Sequence, residues 1–174
     1  MARKDRLKER YRDIIQDTEG NLIYTGESFR IAGDSSKARA RLIIGLLILA
    51  ALVIGSGCID AAGANSAFYV ILPYIGEAAA LFALAWNAIK VIYGRDSVRK
   101  YVLDAANERL PGACRILAIF AGVGMILSSV YLMKHGMEGE TFKSVLYPIL
   151  KLAAAAAAEY YRRIYTSVEW IRSQ

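Results

Sequence analysis

The sequence predicts an all-α membrane protein of four transmembrane helices, arranged as two αα-hairpins with both termini on the cytoplasmic side. Three observations predict it. The 174 residues are 56% hydrophobic with a mean hydropathy of +0.31, too apolar for an ordinary soluble domain and short enough for one unit. Leu42–Ile59 and Ile116–Met133 each run 18 residues without a charge, about 27 Å of helix at roughly 1.5 Å per residue, close to the thickness of a bilayer core. Basic residues gather in the tails and one central loop, so the net charge of +6 reads as membrane topogenesis and not as a nucleic-acid-binding surface.

Residues 1–41 form a basic cytoplasmic tail, too charged to be a secretory signal. Within it, Tyr11-Arg12-Asp13-Ile14-Ile15 and Leu22-Ile23-Tyr24-Thr25 are rich in β-formers and flank Asp17-Thr18-Glu19-Gly20-Asn21, which has the residues of a tight reversal. This predicts a small β-hairpin. A lone hairpin is marginal in water, so it is expected to pack on the membrane domain, on a partner, or on its copy in a homodimer.

The transmembrane domain covers 42–165, with spans at about 42–59, 67–89, 116–133 and 142–161. Asp60 to Ser66 joins the first two, with Gly63 and Asn65 as turn residues. The second span contains Pro73, Glu77 and Trp86, and the fourth contains Pro148 and Lys151. Between the second and third, Val98, Tyr101, Val102, Ala105 and Ala106 repeat at helical spacing opposite Arg95, Arg99, Lys100, Asp104, Glu108 and Arg109. That pattern predicts a cytoplasmic amphipathic helix lying on the membrane surface and ended by Pro111-Gly112. Residues 166–174 are a second cytoplasmic tail, read as able to continue the last helix into water.

Orientation follows from the flanks. Ten Lys or Arg precede Leu42, five lie between Arg95 and Arg115, and Arg162, Arg163 and Arg172 follow the last span. The Asp60 loop has none, and the 134–143 loop has only Lys134 and Lys143 beside Glu138 and Glu140. Basic-rich segments stay inside. Aligning Pro73 with Pro148 also pairs Val70 with Val145 and Ala78–Ala80 with Ala153–Ala155, a weak internal echo that similar Ala-rich composition explains as readily as duplication.

Glu77 and Lys151 each stand about ten residues from the outer end of their span, roughly 15 Å deep near the midplane. Each alone costs several kcal/mol in hydrocarbon, so they are expected to face each other. Tyr74 and Tyr147 precede them by about one turn and place two hydroxyls in the same polar spot, with Ser128 and Ser129 slightly further out. Such a pair is either a proton- or ion-coupled site or a device that fixes helix register. Pro73 and Pro148 each free a carbonyl one turn earlier and can kink their helices.

Ala118 with Gly122, Ala121 to Gly124, and Ala153 to Ala158 supply packing seams for spans three and four, or for a dimer. Phe68, Tyr69, Tyr131 and Phe142 outside, with Trp86, Tyr93, Tyr160 and Tyr161 inside, read as interfacial anchors. Lys37, Arg39, Arg41, Arg95, Arg99 and Lys100 form a cluster suited to anionic lipid headgroups.

Cys58 and Cys114 fall near opposite faces of the membrane, so no disulfide is expected. Gly55-Ser56-Gly57-Cys58 has the small residues of a lipoprotein processing site but lies behind a long charged tail. The single histidine, His135, has no neighbouring ligand in sequence, so neither a metal nor a cofactor is expected. There is no phosphate-cradling Gly loop, Cys-x-x-Cys, His-Glu-x-x-His or serine elbow. The expected function is that of a non-enzymatic accessory or structural subunit that binds a homodimer mate or another membrane protein. The alternative is a small secondary transporter or channel built on Glu77 and Lys151. Compact loops and the lack of glycosylation-type features point to a bacterial plasma membrane, and the placing of the basic residues in the tails and one loop points to no nucleic-acid partner.

Overall fold

The computed structural model describes residues 14–16, 22–24, 26–59, 67–94, 97–135 and 141–173. Among them are four long helices, α1 (Ser35–Gly57), α2 (Phe68–Ile92), α3 (Lys100–His135) and α4 (Thr141–Thr166). Five short strands accompany them: β1 (Ile14–Gln16), β2 (Leu22–Tyr24), β3 (Ser28–Ile31), β4 (Val98–Arg99) and β5 (Trp170–Ser173). The chain is predominantly helical, and α1, α2 and α3 are long and apolar enough to cross a membrane. α4 is as long as α2, but Lys143, Lys151, Glu159, Arg162 and Arg163 lower its averaged hydropathy.

Gly33, at φ 71°, turns the chain between β3 and α1 in a conformation that costs a residue with a Cβ. Asp34 then caps α1 by accepting a hydrogen bond from the Lys37 amide at 3.1 Å. Consecutive helices pack side by side and α4 closes the ring against α1, which leaves α2 and α4 facing each other across the bundle. Inward residues recur every three or four positions: Leu49 and Val53 on α1, Ala80, Leu84 and Ala88 on α2, Leu117 and Ala121 on α3, Ala154 and Ala158 on α4. A second, smaller apolar cluster of Val70, Tyr131, Leu132 and Tyr147 lies towards the other end.

Three expectations are corrected. Pro111-Gly112 does not end a separate surface helix, because α3 runs unbroken through Pro111 for 36 residues, about 54 Å at ~1.5 Å per residue. A proline inside a helix costs about 3 kcal/mol. Leu103, Ala106, Leu110, Ala113, Cys114 and Leu117 form one continuous buried stripe on both sides of it, and that packing outweighs the loss. Secondly, the last helix does not extend through 166–174. It stops at Thr166, and β5 turns back to pair antiparallel with β3 in the register Ile31↔Trp170 to Ser28↔Ser173. Thirdly, Gly122 does not line a seam between spans three and four, since a Cβ built there meets nothing within 4 Å in the bundle.

β3 is the centre of a three-stranded sheet in the order β4-β3-β5. The tail before α1, the start of α3 and the end of α4 therefore meet in one cap at one end of the bundle. Its inner face carries the buried Ile31 and Val98, with Phe29 and Trp170 partly buried. Glu27 ties the three segments together through Lys100 at 3.2 Å and Arg172 at 3.1 Å. These neighbours, Lys100 first and then Arg172, hold the Glu27 carboxyl below the usual carboxylate range. The hairpin expected upstream is present as β1 paired with β2, Ile14↔Tyr24 to Gln16↔Leu22. Its predicted turn at Asp17–Asn21, its outer residues Tyr11–Asp13 and Thr25, the Asp60–Ser66 loop and residues 136–140 lie outside the described residues.

Candidate functional site in the bundle interior

Glu77 leaves α2 between the buried Pro73 and Ala80, and Lys151 leaves α4 between the buried Tyr147 and Ala154. Both point into the bundle. Because α2 and α4 stand on a diagonal, only two long side chains reaching from opposite walls can meet, and Lys151 Nζ donates a hydrogen bond to Glu77 Oε2. Their side chains are 0% and 1% exposed, so bulk water does not reach the pair. It forms a polar layer between the two apolar clusters.

α3 makes room for that reach. Gly124 lies against the lysine stem, and a Cβ there would sit 3.8 Å from Lys151 Cδ and Cε and 3.6 Å from Pro73 Cβ. An alanine fits; anything longer enters the space the lysine occupies. The ammonium is also covered by aromatic faces, 4.6 Å from the Tyr74 ring centroid and 5.4 Å from that of Tyr147. Such contacts contribute up to ~2 kcal/mol in a desolvated setting and replace part of the lost hydration.

The structure thus brings Tyr74 and Tyr147 to the pair by their ring faces. The Tyr74 hydroxyl does not join the polar spot expected for it. It lies directly over Gly57 on α1, where a Cβ would overlap the phenol. Ser128 and Ser129 are not linked to the pair by their hydroxyl protons, since both donate along their own helix to the Met125 carbonyl, at 2.9 and 2.8 Å. Serines in helices commonly satisfy themselves this way. Glu77 Oε1 has no hydrogen-bond partner among the described residues.

The described basic residues expected at headgroup level fall near the cap. Lys37 pairs with Asp34 at 3.0 Å, Arg39 donates to the Gly94 carbonyl at 2.8 Å, and Lys100 pairs with Glu27. Arg41 and Arg99 are exposed, and Arg95 lies outside the described residues. Among the described residues no group of three His, Cys, Asp or Glu is arranged to hold a metal, and Cys58 and Cys114 are both free. His135 stacks on Tyr131 with centroids 4.3 Å apart, and its Nδ1 lies 3.1 Å from the Tyr131 carbonyl.

Sequence reasoning missed two features. Gly124 reads as a generic packing residue, and its service to the lysine depends on a contact 27 residues away. The Tyr165 hydroxyl donates to Asn107 Oδ1 at 2.7 Å, linking α4 to the first third of α3. No local signal joins two positions 58 apart.

The outer surface of the bundle inverts the interior. Ile44, Leu47 and Ile48 on α1, Leu72, Ile75 and Phe82 on α2, and Ile119 and Ile126 on α3 are all exposed. On α4 the exposed stripe Val145, Ile149, Leu152 and Tyr160 is apolar as well, because the mid-helix charge, Lys151, turns inward. Comparison with protein-family models, with curated proteins and with solved structures finds no match to this chain.

Proposed function

We propose that the chain is a four-pass membrane protein, N-in and C-in, that works as a non-enzymatic accessory or interaction subunit of a bacterial plasma membrane. The observation that carries the membrane reading is the inverted bundle, with a sealed ion pair inside and large apolar side chains outside on all four helices. Monomeric soluble proteins rarely expose contiguous apolar patches of more than a few hundred Å². The even number of spans is supported by the cap sheet, which gathers the N-terminal, central and C-terminal basic segments at one end. On this reading the pair is architectural: it specifies which helices lie on the diagonal and in which register. The cap, with the hairpin before it, is the docking part.

A small transporter or channel is the second reading, favoured by the unpartnered Glu77 Oε1, which has the capacity to accept a proton or an ion. The sealed position of the pair makes the architectural role the better supported of the two.

Orientation is tested by impermeant thiol labelling of intact cells. A cysteine at Ser66 or Gly136 should react and one at Ser35 should not; the reverse pattern would overturn the topology. Docking is tested by deleting residues 1–25, which removes the hairpin and leaves β3 in the cap. The truncated chain should still resist alkaline extraction from membranes but lose association with its own copy or a partner in cross-linking. Unchanged association would refute the docking role.

A further inference from the structure

A cavity of about 240 Å³ opens where the turn between β3 and α1 meets the end of α4 and the start of β5. Ile31, Ala38, Ile164 and Val168 give it apolar walls, and Arg41 and Glu169 give it two opposite charges. Among the described residues neither Arg41 nor Glu169 is in an ion pair, and the nearest charge acting on Arg41 from its own segment is the exposed Asp34, itself paired with Lys37. The backbone around Glu169 is fixed, since its carbonyl accepts a hydrogen bond from the Ala32 amide at 2.9 Å. The level of the cavity is equally defined. Arg41 stands immediately before the uncharged run that begins at Leu42, and Ile164 lies three residues beyond Tyr161, where the last predicted span ends.

Such a site has a guanidinium for an anion, a carboxylate for a cation and room for a small polar group, with an apolar helix surface running away beneath it. Sites that enclose a whole drug-sized ligand run to roughly 300–1,000 Å³. A smaller space suits a ligand of which only the head enters. We propose that this cavity binds the zwitterionic phosphate–ammonium head of an aminophospholipid, with the phosphate on Arg41, the primary ammonium on Glu169 and the acyl chains along the outer seam of α1 and α4. The inference rests on the membrane reading above. Arg binds phosphate through a planar fork of N–H donors, and a primary ammonium offers Glu169 three donors where a trimethylammonium offers none. A headgroup with phosphate alone satisfies only half the site.

The test uses the full chain purified in neutral detergent, with lipid retention read by native mass spectrometry from mixed micelles of phosphatidylethanolamine, phosphatidylcholine and phosphatidylglycerol. One phosphatidylethanolamine should be retained in preference to the other two. Glu169→Gln should cut that preference about tenfold, and Arg41→Gln, which removes the contact to the phosphate that all three lipids carry, should cut retention of every lipid about tenfold. Arg41→Lys should keep most of that retention. Both side chains are exposed, so all three variants should elute and melt like the parent. Equal retention of phosphatidylcholine, an unchanged preference in Glu169→Gln, or unchanged retention in Arg41→Gln would overturn the proposal. Displacement of the lipid by free phosphoethanolamine at equal concentration would overturn it too, by assigning the site to a soluble ligand. Alkaline extraction of the cell membranes from which the chain is purified separates the two levels: release of the chain sinks the membrane reading, whereas an extraction-resistant chain with unselective retention sinks only the lipid assignment.

Discussion

In the bundle, Glu77 and Lys151 meet at 0% and 1% exposure while Leu47, Phe82 and Ile119 point outward; in the cap, Glu27 meets Lys100 and Arg172 near the surface while Ile31 and Val98 are buried. The two regions are a few residues apart along β3 and α1, yet their charge and apolar surfaces are arranged in opposite senses. A single solvent does not favour both. Water favours the cap as it stands, and hydrocarbon favours the bundle as it stands. The difference also changes what an ion pair is worth. In the cap, water and salt screen the Glu27 contacts. In the bundle, nothing but the partner and two tyrosine rings compensates each charge.

The largest effect should come from breaking the interior pair. Glu77→Gln or Lys151→Met leaves one charge stranded among apolar side chains and should cost about 3–5 kcal/mol each. The double variant should recover most of that loss, since a neutral interior of similar volume packs as well. Thermal unfolding in detergent measures all three. Additive losses would show that the two side chains do not depend on each other. Activity divides the two functional readings: full function in the stable double variant supports the architectural role, and a stable but inactive double variant supports a titrating Glu77.

A smaller effect is expected in the cap, where it should depend on pH and salt. Glu27 is held below its ordinary value of 4.5, so its contribution is present above that pH and is lost as pH falls through the lowered folded value. Trp170 stands in the adjoining strand opposite Ile31, two residues before the Arg172 that Glu27 holds, and serves as the reporter of that strand's pairing. In a Trp86→Phe background, acidification below about pH 4.5 should shift Trp170 emission towards that of an exposed indole. Glu27→Gln should flatten that shift, and added salt should shrink it. An identical acid response in the Gln variant would place the loss elsewhere.

These contrasts explain which parts of the molecule were legible in the sequence. The interior pair was legible because charge is rare in the spans and depth follows from counting about ten residues in from each outer end. Long apolar runs likewise located all four helices, and two short segments rich in β-formers located the hairpin. What escaped was everything decided by distant partners. β3 and β5 are joined across the length of the chain, and a four-residue strand such as Trp170–Ser173 has no period long enough to declare itself. Pro111-Gly112 is a sound local stop signal, overruled by a buried stripe that continues on either side of it. The Tyr74 hydroxyl was placed one turn from Glu77 correctly along the helix axis, but the bare surface of Gly57 on another helix draws it away.

The two tryptophans report on the two regions separately and so test whether the bundle and the cap face different solvents. Trp86 is 57% exposed on the outer face of α2, stacked on Phe82 at 6.5 Å and carrying Lys90 Nζ 4.7 Å above its ring, the arrangement of an anchor at a lipid headgroup boundary. Trp170 stands on the inner face of the cap sheet, partly buried against the core. In phosphatidylcholine vesicles, whose headgroup the cap cavity should not hold, the Trp170→Phe variant should be quenched by phosphatidylcholine spin-labelled in the upper acyl chain and protected from aqueous iodide, while the Trp86→Phe variant should respond far less to the labelled lipid. Iodide quenching of Trp86 with no response to the labelled lipid would contradict the account, because the apolar face of the bundle would then be in water.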